Sequence, residues 1–271
     1  MSQIYYKTSE EVEKIRKSCL LVCKTLAHVA GLLRPGITGL ELDEAAEKFI
    51  LDHGAKPGFK GYHGFPATLC ISVNDVVVHG IPNNQEIQPG DIVSIDCGVY
   101  WDEYYGDAAY TFAIGEVSEE VLDLMSVTNE CLYRGIDQAV SGNRVGDIGY
   151  AVQSYAEGEH GYGVVRELVG HGLGRQLHES PEVPNFGRRG RGPLLKDGLV
   201  IAIEPMINLG KKSVTQGSDG WTIRARDGKP SAHFEHSVVV RNNRADILSD
   251  HLVIEEAIKN NPEIKEISKK R

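Results

Sequence analysis

The sequence lacks the long apolar segments that direct a chain to or through a membrane. No apolar run reaches the roughly 20 residues that a membrane-spanning helix needs. The N-terminal stretch MSQIYYKTSEEVEK has no apolar core of the kind found in signal peptides. Basic residues are also outnumbered: the chain has 29 Lys and Arg residues and 38 Asp and Glu residues, which gives a net charge of −9. These features argue against membrane association and general nucleic-acid binding, and they predict a cytoplasmic protein.

Cysteine is sparse and shows no metal-binding pattern. The five cysteines form no CxxC pair, and Cys19 and Cys23 are four residues apart on a predicted helix. That spacing is more typical of one buried helix face than of a pair of metal ligands. The sequence therefore predicts free thiols in a reducing compartment.

Two helices are predicted near the start of the chain. Apolar residues follow the helical period over residues 8–33, and Thr8 can cap that helix. A second helix is predicted from Thr38 to Gly54, because Thr38 and Glu41 have the spacing of a capping box. Strands are then predicted over residues 68–73, 76–79, 91–100 and 107–114.

The same order of elements restarts at residue 118. The letters SEEV at residues 9–12 recur at residues 118–121. At a constant offset of 106, matching residues include Gly36 and Gly142, Leu42 and Ile148, Ala45 and Ala151, and Phe49 and Tyr155. The later strands are predicted over residues 164–171, 199–207, 221–226 and 232–240. A short repeat is weak alone, but the shared order of elements strengthens it.

These patterns predict an α+β fold made of two pseudo-symmetric helix-helix-strand halves, about residues 8–115 and 118–245. No Pro- or Ser-rich linker separates them, so we expect a single domain over residues 1–271. A charged tail over residues 248–271 reads as a helix interrupted at Pro262. Two related halves leave a cleft where their sheets meet, and such clefts commonly hold binding sites.

Two aspartates fall within the predicted hairpin VSIDCGVYWDEYYGDAAYTF, residues 93–112. Asp96 shares a strand face with Ser94 and Gly98, and Asp107 falls close to opposite Asp96 if the chain turns near Asp102. Taken alone, Asp96 fits a solvated strand face. Facing carboxylates destabilise a sheet, however, unless a cation lies between them.

Further candidate ligands occur at later strand ends. The stretch ELVGHGLGRQLHESP places His171 and His178 around a glycine-rich turn, and VVVHGIP places His79 at a strand end. A lone histidine in a loop is more often structural. Glu204 follows the apolar run VIAI and Glu235 precedes a β-branched strand, so neither carboxylate can be buried without a partner. The candidate metal ligands are Asp96, Asp107, His171, Glu204 and Glu235, whose four carboxylates balance two divalent cations about 3.5–4 Å apart.

The motifs IDCGVYWDEYYGD, GHGLGRQLHESP, IEPM and FEHSVVV, in this order, resemble methionine aminopeptidase type I, an enzyme of the pita-bread fold. The resemblance covers residues 8–245. The absence of a long zinc-binding N-terminal extension resembles the short bacterial form, and the absence of a large insertion among the last strands favours type I over type II. The resemblance implies that Asp96 chelates one metal, that Asp107 and Glu235 bridge both, and that His171 and Glu204 complete the other.

The activity that the resemblance implies is removal of the N-terminal methionine from nascent proteins and peptides with a small second residue. A hydroxide shared by two metals, which could be cobalt, manganese, iron or zinc, would attack the first peptide bond. Glu204 would move the proton and His178 would stabilise the oxyanion. His79 would contact the scissile amide nitrogen or the tetrahedral intermediate, and the free α-amine would bind the metal held by Asp96.

A methionine pocket follows from the same resemblance. By composition alone, the residues around GYHGFPATLC are ordinary core residues. The resemblance places Tyr62, Phe65, Cys70 and Trp221 around the methionine side chain, with His63, His79 and His178 as further substrate-binding residues. Two positions depart from the commoner family pattern, Leu177 where an aromatic residue is frequent and Gly98 where a threonine often appears.

The resemblance also implies a monovalent cation near Asn74, Val76 and Ser231. Expected partners are peptides with N-terminal Met and nascent chains, with transient ribosome association, and the expected oligomeric state is a monomer. Two other functions stay open. One is an Xaa-Pro aminopeptidase or dipeptidase of the same fold, which usually carries a further N-terminal domain. The other is a non-enzymatic pita-bread binding protein, which typically loses ligands that are all present here.

Overall fold

The computed structural model describes residues 3–268. Its helices are α1 (Ser9–Leu32), α2 (Gly39–Asp52), α3 (Glu119–Gln138), α4 (Val145–Gln153) and α5 (His251–Lys259), with a 3-10 turn at Tyr62–Gly64 and a π-helical turn at Ser154–Glu159. The strands of the first half are β1 (Lys56–Pro57), β2 (Leu69–Val73), β3 (Val76–Val78), β4 (Ile92–Trp101) and β5 (Tyr104–Ile114). Those that follow are β6 (Gly163–Val164), β7 (Gly170–Gly172), β8 (Glu179–Val183), β9 (Val200–Ile203), β10 (Met206–Asn208), β11 (Val214–Gln216), β12 (Ile223–Ala225), β13 (Ser231–His233), β14 (His236–Val239), β15 (Asp246–Ile247) and β16 (Ile264–Lys265).

The helix predictions are confirmed, because local capping chemistry sets their starts. Thr8 accepts a hydrogen bond from the Glu11 N–H and Thr38 accepts one from the Glu41 N–H, and both caps are complete capping boxes. Ser118 also precedes α3 as predicted, although its side chain makes no capping bond. None of the described helices has the length and apolar content to cross a membrane.

The two halves share a specific backbone feature at the start of their second helices. Gly36 and Gly142, the glycines paired at offset 106, both have positive φ, at 83° and 96°. The Gly36 N–H donates to the Ile87 carbonyl at 2.8 Å, and the Gly142 N–H donates to the Leu195 carbonyl at 3.0 Å. The repeat seen in the letters is therefore also a repeat of chain geometry.

Two larger sheets carry the fold. The first has the order β1-β4-β5-β16 with β2 also on β4, and the second has the order β15-β14-β9-β7-β8. They adjoin along β5 and β14, where the Ser237 hydroxyl donates to the Asp107 carbonyl at 2.8 Å and the Glu235 N–H donates to the Ala109 carbonyl at 3.0 Å. The seam between the two sheets is the cleft that the pseudo-symmetry predicted.

Three predicted strands are wrong in one respect, since each is interrupted. The segment 199–207 divides into β9 and β10 around Glu204 and Pro205, and the segment 232–240 divides into β13 and β14 around Glu235. The segment 164–171 likewise divides into β6 and β7. Pro205 has no N–H to continue a ladder. Each break releases a side chain from the regular alternation of the strand, so that it can turn into the cleft.

The tail was only partly predicted. The helix α5 ends at Lys259, and the chain then forms β16, which pairs antiparallel with β5. The Asn261 amide donates to the Ala30 and Leu33 carbonyls at the end of α1, both at 2.7 Å. The tail is therefore packed onto the first sheet, and only Lys269–Arg271 lie outside the described residues at that end.

Candidate active site

The β4–β5 hairpin brings its two aspartates together on one face. Asp96 pairs with Ala109, and Asp107 pairs with Gly98, so the two aspartates are diagonal neighbours across the ladder. This face is turned into the protein, and Asp107 is only 3% exposed. The strand face is therefore not a solvated one: Asp107 is buried, and Asp96 is partly buried with its Oδ1 atom fully enclosed.

The other candidate ligands approach the hairpin from the second sheet. The Nε2 atom of His171, on β7, lies 3.8 Å from Asp107 Oδ2 and 3.6 Å from Glu204 Oε1. Three of the candidate ligands can offer one atom each to a common point, because those atoms all lie within 4.8 Å of one another: Asp107, His171 and Glu235. The five residues proposed from the sequence thus converge from both halves of the chain.

Burial makes this cluster electrostatically costly unless a cation is present. Burial raises the pKa of Asp96 to about 7 and that of Glu204 to about 8. For Asp107 and Glu235, burial and then the neighbouring carboxylates hold the pKa well above its usual value. Within residues 3–268, one oxygen of each of Asp96, Asp107 and Glu235 is buried without a hydrogen-bond partner. Carboxylate oxygens with one imidazole suit a divalent cation, so these residues fit the metals implied by the sequence.

The His171 ring is oriented for ligation. Its Nδ1 lies 2.9 Å from the Gly172 carbonyl, which can only accept, so Nδ1 carries the proton and Nε2 presents its lone pair. Burial, followed by the neighbouring His178, lowers the pKa of His171 to about 3, which keeps the ring neutral.

A cavity of about 540 Å³ opens onto this cluster. Its walls combine aromatic rings with the carboxylates; the Phe65 and Trp221 rings meet edge to face at 5.1 Å. It is lined by every site residue that was proposed from the sequence: Tyr62, His63, Phe65, Cys70, His79, Asp96, Asp107, His171, His178, Glu204, Trp221 and Glu235. The structure therefore brings the whole set together, while the roles of its members stay predictions.

Besides His171, the cavity is lined by His63, His79 and His178. The Nδ1 of His178 lies 3.0 Å from the Tyr62 hydroxyl, and its ring meets the His171 ring edge to face at 4.3 Å. His79 has a φ of 57°, a conformation that non-glycine residues rarely adopt and that is found most often at functional sites. Burial, with His233 nearby, lowers the pKa of His79 to about 4.

His233 was missed in the sequence. It is buried, and its Nε2 lies 3.5 Å from Glu204 Oε2, on the opposite side of that carboxylate from His171. Its backbone is fixed by Thr111, whose hydroxyl accepts from the His233 N–H and donates to the His233 carbonyl. The sequence did contain a signal for it. In HFEHSVVV, residues 233–240, His233 and Glu235 are two residues apart, which is the spacing of side chains on one face of a strand.

Phe59 was also missed in the sequence. It explains why position 98, where the family often has a threonine, is a glycine in this chain. A Cβ atom built on Gly98 would lie 2.4 Å from Cε1 of Phe59, so the Phe59 ring fills the space that a side chain at position 98 would need. Phe59 and Leu177, the other departure, both line the cavity. The glycine and the phenylalanine are therefore a matched pair.

We expect Gly98→Ala to lower the free energy of unfolding by about 1–3 kcal/mol, the usual cost of overpacking. Urea unfolding would measure it. In Phe59→Ala protein the same glycine substitution should cost much less, because the ring no longer occupies that space. Equal costs in the two backgrounds would show that the residues are not coupled.

Comparison with known proteins agrees with this geometry. The sequence model of metallopeptidase family M24 matches residues 13–242. A methionine aminopeptidase of Clostridium perfringens is 50% identical over 246 residues, covering 91% of this chain and 98% of the relative. Methionine aminopeptidase 1 of Bacillus subtilis is 44% identical, covering 91% of this chain and 99% of that relative. The resemblance drawn from the motifs is confirmed.

Solved structures give the same result for the fold. The methionine aminopeptidase of Rickettsia prowazekii superposes with a TM-score of 0.90 at 39% identity, covering 92% of this chain and all of that one. A prolidase of Pyrococcus furiosus superposes with a TM-score of 0.75 at 25% identity, and the match covers 65% of that longer chain. The predicted α+β pita-bread fold is confirmed, and the chain belongs to metallopeptidase family M24.

Proposed function

We propose that this chain is a metal-dependent aminopeptidase that removes the N-terminal methionine from peptides and nascent proteins. One observation carries the proposal: four carboxylates, two of them buried and two partly buried, converge with a neutral imidazole on the wall of a cavity whose other walls are largely aromatic and apolar. The relatives that are 41–50% identical over about nine tenths of the chain are methionine aminopeptidases.

The donor set supports two divalent cations. Asp96 would hold one cation, His171 and Glu204 would hold the other, and Asp107 and Glu235 would lie between them. The cations, when bound, would polarise the scissile carbonyl and lower the pKa of a nucleophilic water. Cobalt, manganese, iron and zinc all suit mixed carboxylate and imidazole ligands.

The protein's own residues would move the proton and stabilise the developing charge. Glu204 lies between two imidazoles, with one oxygen 3.6 Å from His171 Nε2 and the other 3.5 Å from His233 Nε2. A carboxylate at this position in the cavity can take up and release a proton. The exposed ring of His178, oriented by Tyr62, would donate to the substrate carbonyl oxygen, and His79 would contact the scissile amide nitrogen.

Methionine recognition would use the aromatic part of the cavity. Thioether sulfur packs favourably against aromatic rings, and unbranched methionine adapts to irregular walls. The residues proposed to surround it are Tyr62, Phe65, Cys70 and Trp221, with His63 as a further substrate-binding residue, all on the cavity wall. Phe59 and Leu177 add apolar surface to the same cavity, which would favour a methionine over a polar first residue.

The direct test is turnover of the tripeptide Met-Ala-Ser by protein stripped of metal and then supplied with one metal at a time. We expect turnover to disappear after chelation and to return with at least one of Mn²⁺, Co²⁺, Fe²⁺ or Zn²⁺. Elemental analysis would verify removal.

An Ala-Pro-Ser peptide is the matched substrate control in that assay, because it asks for cleavage before proline. Preferential release of alanine would replace our assignment with an Xaa-Pro aminopeptidase. Tight metal binding without turnover of either peptide would favour a non-enzymatic binding protein.

Several finer assignments belong to the same proposal. A monovalent cation near Asn74, Val76 and Ser231 is supported by their proximity, since the Ser231 N–H donates to the Asn74 carbonyl at 2.9 Å. We further propose one catalytic domain over residues 1–271, because both halves supply ligands. Action on nascent chains would place a monomeric enzyme in the cytoplasm in transient contact with ribosomes.

A further inference from the structure

The backbone of Glu235 lies at a gap in the sheet. His233 pairs with Met206 on β10 and His236 pairs with Ile203 on β9, so Glu235 falls between two ladders and belongs to neither. Its N–H donates to the Ala109 carbonyl on β5 at 3.0 Å. Because no ladder of the described residues includes Glu235, its backbone carbonyl accepts no hydrogen bond from a neighbouring strand. A buried carbonyl needs another donor.

The donor comes from the tail. The His251 Nε2 lies 2.9 Å from the Glu235 carbonyl, and because a carbonyl can only accept, Nε2 must carry the proton. His251 is buried, with 3% of the residue's surface exposed. It stacks on the His236 ring at 3.6 Å and meets the Tyr110 ring edge to face at 5.2 Å, so its orientation is fixed on two sides.

His251 is the first residue of α5, and the start of that helix is itself anchored. Asp250 caps the helix by accepting from the Leu252 N–H, and the Asp250 N–H donates to the Cys23 sulfur in α1 at 3.1 Å. The helix lies beyond residue 242, where the match to the M24 family model ends. A segment outside the matched region therefore reaches back to the backbone of a candidate ligand.

We infer that His251 is a positioning residue for Glu235 and that the tail, through this one hydrogen bond, helps to set the affinity of the site for divalent metal. The inference rests on the ligand role proposed for Glu235. Holding the carbonyl at the strand break fixes the backbone from which the carboxylate projects. Groups that hydrogen-bond a ligating side chain directly typically change metal affinity about 10–100-fold when they are removed, and we take that range as the scale of the effect expected here.

Two substitutions separate the hydrogen bond from the packing of the ring. His251→Phe keeps an aromatic ring against His236 but has no donor. His251→Gln loses the ring but carries an amide donor at the reach of Nε2. Calorimetric titration of the metal-stripped proteins with Mn²⁺ alone measures the affinity without any need for catalysis.

We expect His251→Phe to weaken Mn²⁺ binding about 10–100-fold and His251→Gln to retain most of the affinity. Leu252→Ala, the next residue and 67% exposed, is the matched control and should bind Mn²⁺ like the wild type. If His251→Phe does not fold, His251→Asn replaces it, because its shorter amide falls short of the carbonyl and should also weaken binding.

The inference is overturned if His251→Phe binds Mn²⁺ as tightly as the wild type, or if the Phe and Gln variants lose affinity equally. Those results are distinguishable from failure of the proposed function. A wild-type protein that binds Mn²⁺ but cleaves no Met-Ala-Ser would refute the aminopeptidase assignment and leave the His251 comparison intact.

Discussion

Glu204→Gln is expected to lower kcat for Met-Ala-Ser by about 10²–10⁴-fold, the contribution typical of a positioned proton-transfer group. Glutamine has nearly the same shape, but it cannot take up and release a proton and is a weaker ligand. The backbone at this position is held independently, since the Glu204 carbonyl accepts from the Asn185 amide at 2.9 Å. The fold should therefore persist, and urea unfolding of the metal-free proteins would check that.

Glu182→Gln is the matched control for that experiment. Glu182 lines the same cavity but is exposed and stands outside the proposed ligand set. Its substitution removes one negative charge from the cavity without removing the shuttle, so kcat should stay close to wild type. Wild-type turnover in Glu204→Gln would refute the role assigned to Glu204, and an equal loss in both variants would attribute the effect to the overall charge of the cavity.

His178→Ala is expected to lower kcat about 10²–10³-fold while the protein still binds metal, because an oxyanion donor is lost and no ligand is removed. Single-turnover rates and elemental analysis on the same samples would separate the two effects. Tyr62→Phe is the comparison variant. It removes the hydroxyl 3.0 Å from His178 Nδ1 but leaves the imidazole in place, so its effect on kcat should be smaller.

Loss of metal from His178→Ala, with an unchanged rate per bound metal, would mean that His178 is a ligand. That outcome would reverse our assignment of this residue. The distance between the His171 and His178 rings, 4.3 Å between centroids, makes the distinction worth measuring.

The sequence predicted those features that depend on neighbours along the chain. The starts of α1 and α2 follow from Thr8 and Thr38, each three residues before a glutamate, and the β4–β5 hairpin follows from strand alternation around one turn. The candidate ligands could be proposed because a carboxylate beside an apolar run needs a partner when it is buried. Assigning a role to each one still required the resemblance to known enzymes.

Features that depend on distant contacts escaped prediction. Phe59 meets Gly98 only because the fold brings the two together, and the letters around either residue carry no sign of it. The sequence predicts continuous strands through Glu204 and Glu235, because apolar residues lie on both sides of each one. The sequence predicts a charged helix for the tail, because nothing in the letters around Ile264 indicates that it pairs with β5.

The last strand has a consequence for self-association. Ile264 pairs with Ile114, so one border of the first sheet is covered by a segment far along the chain from β5. If β16 detached, β5, the strand that carries Asp107, would present unpaired amides and carbonyls to any other strand nearby. The two residues of β16 thus shield a sheet that carries candidate ligands from pairing edge to edge with a second copy of the protein.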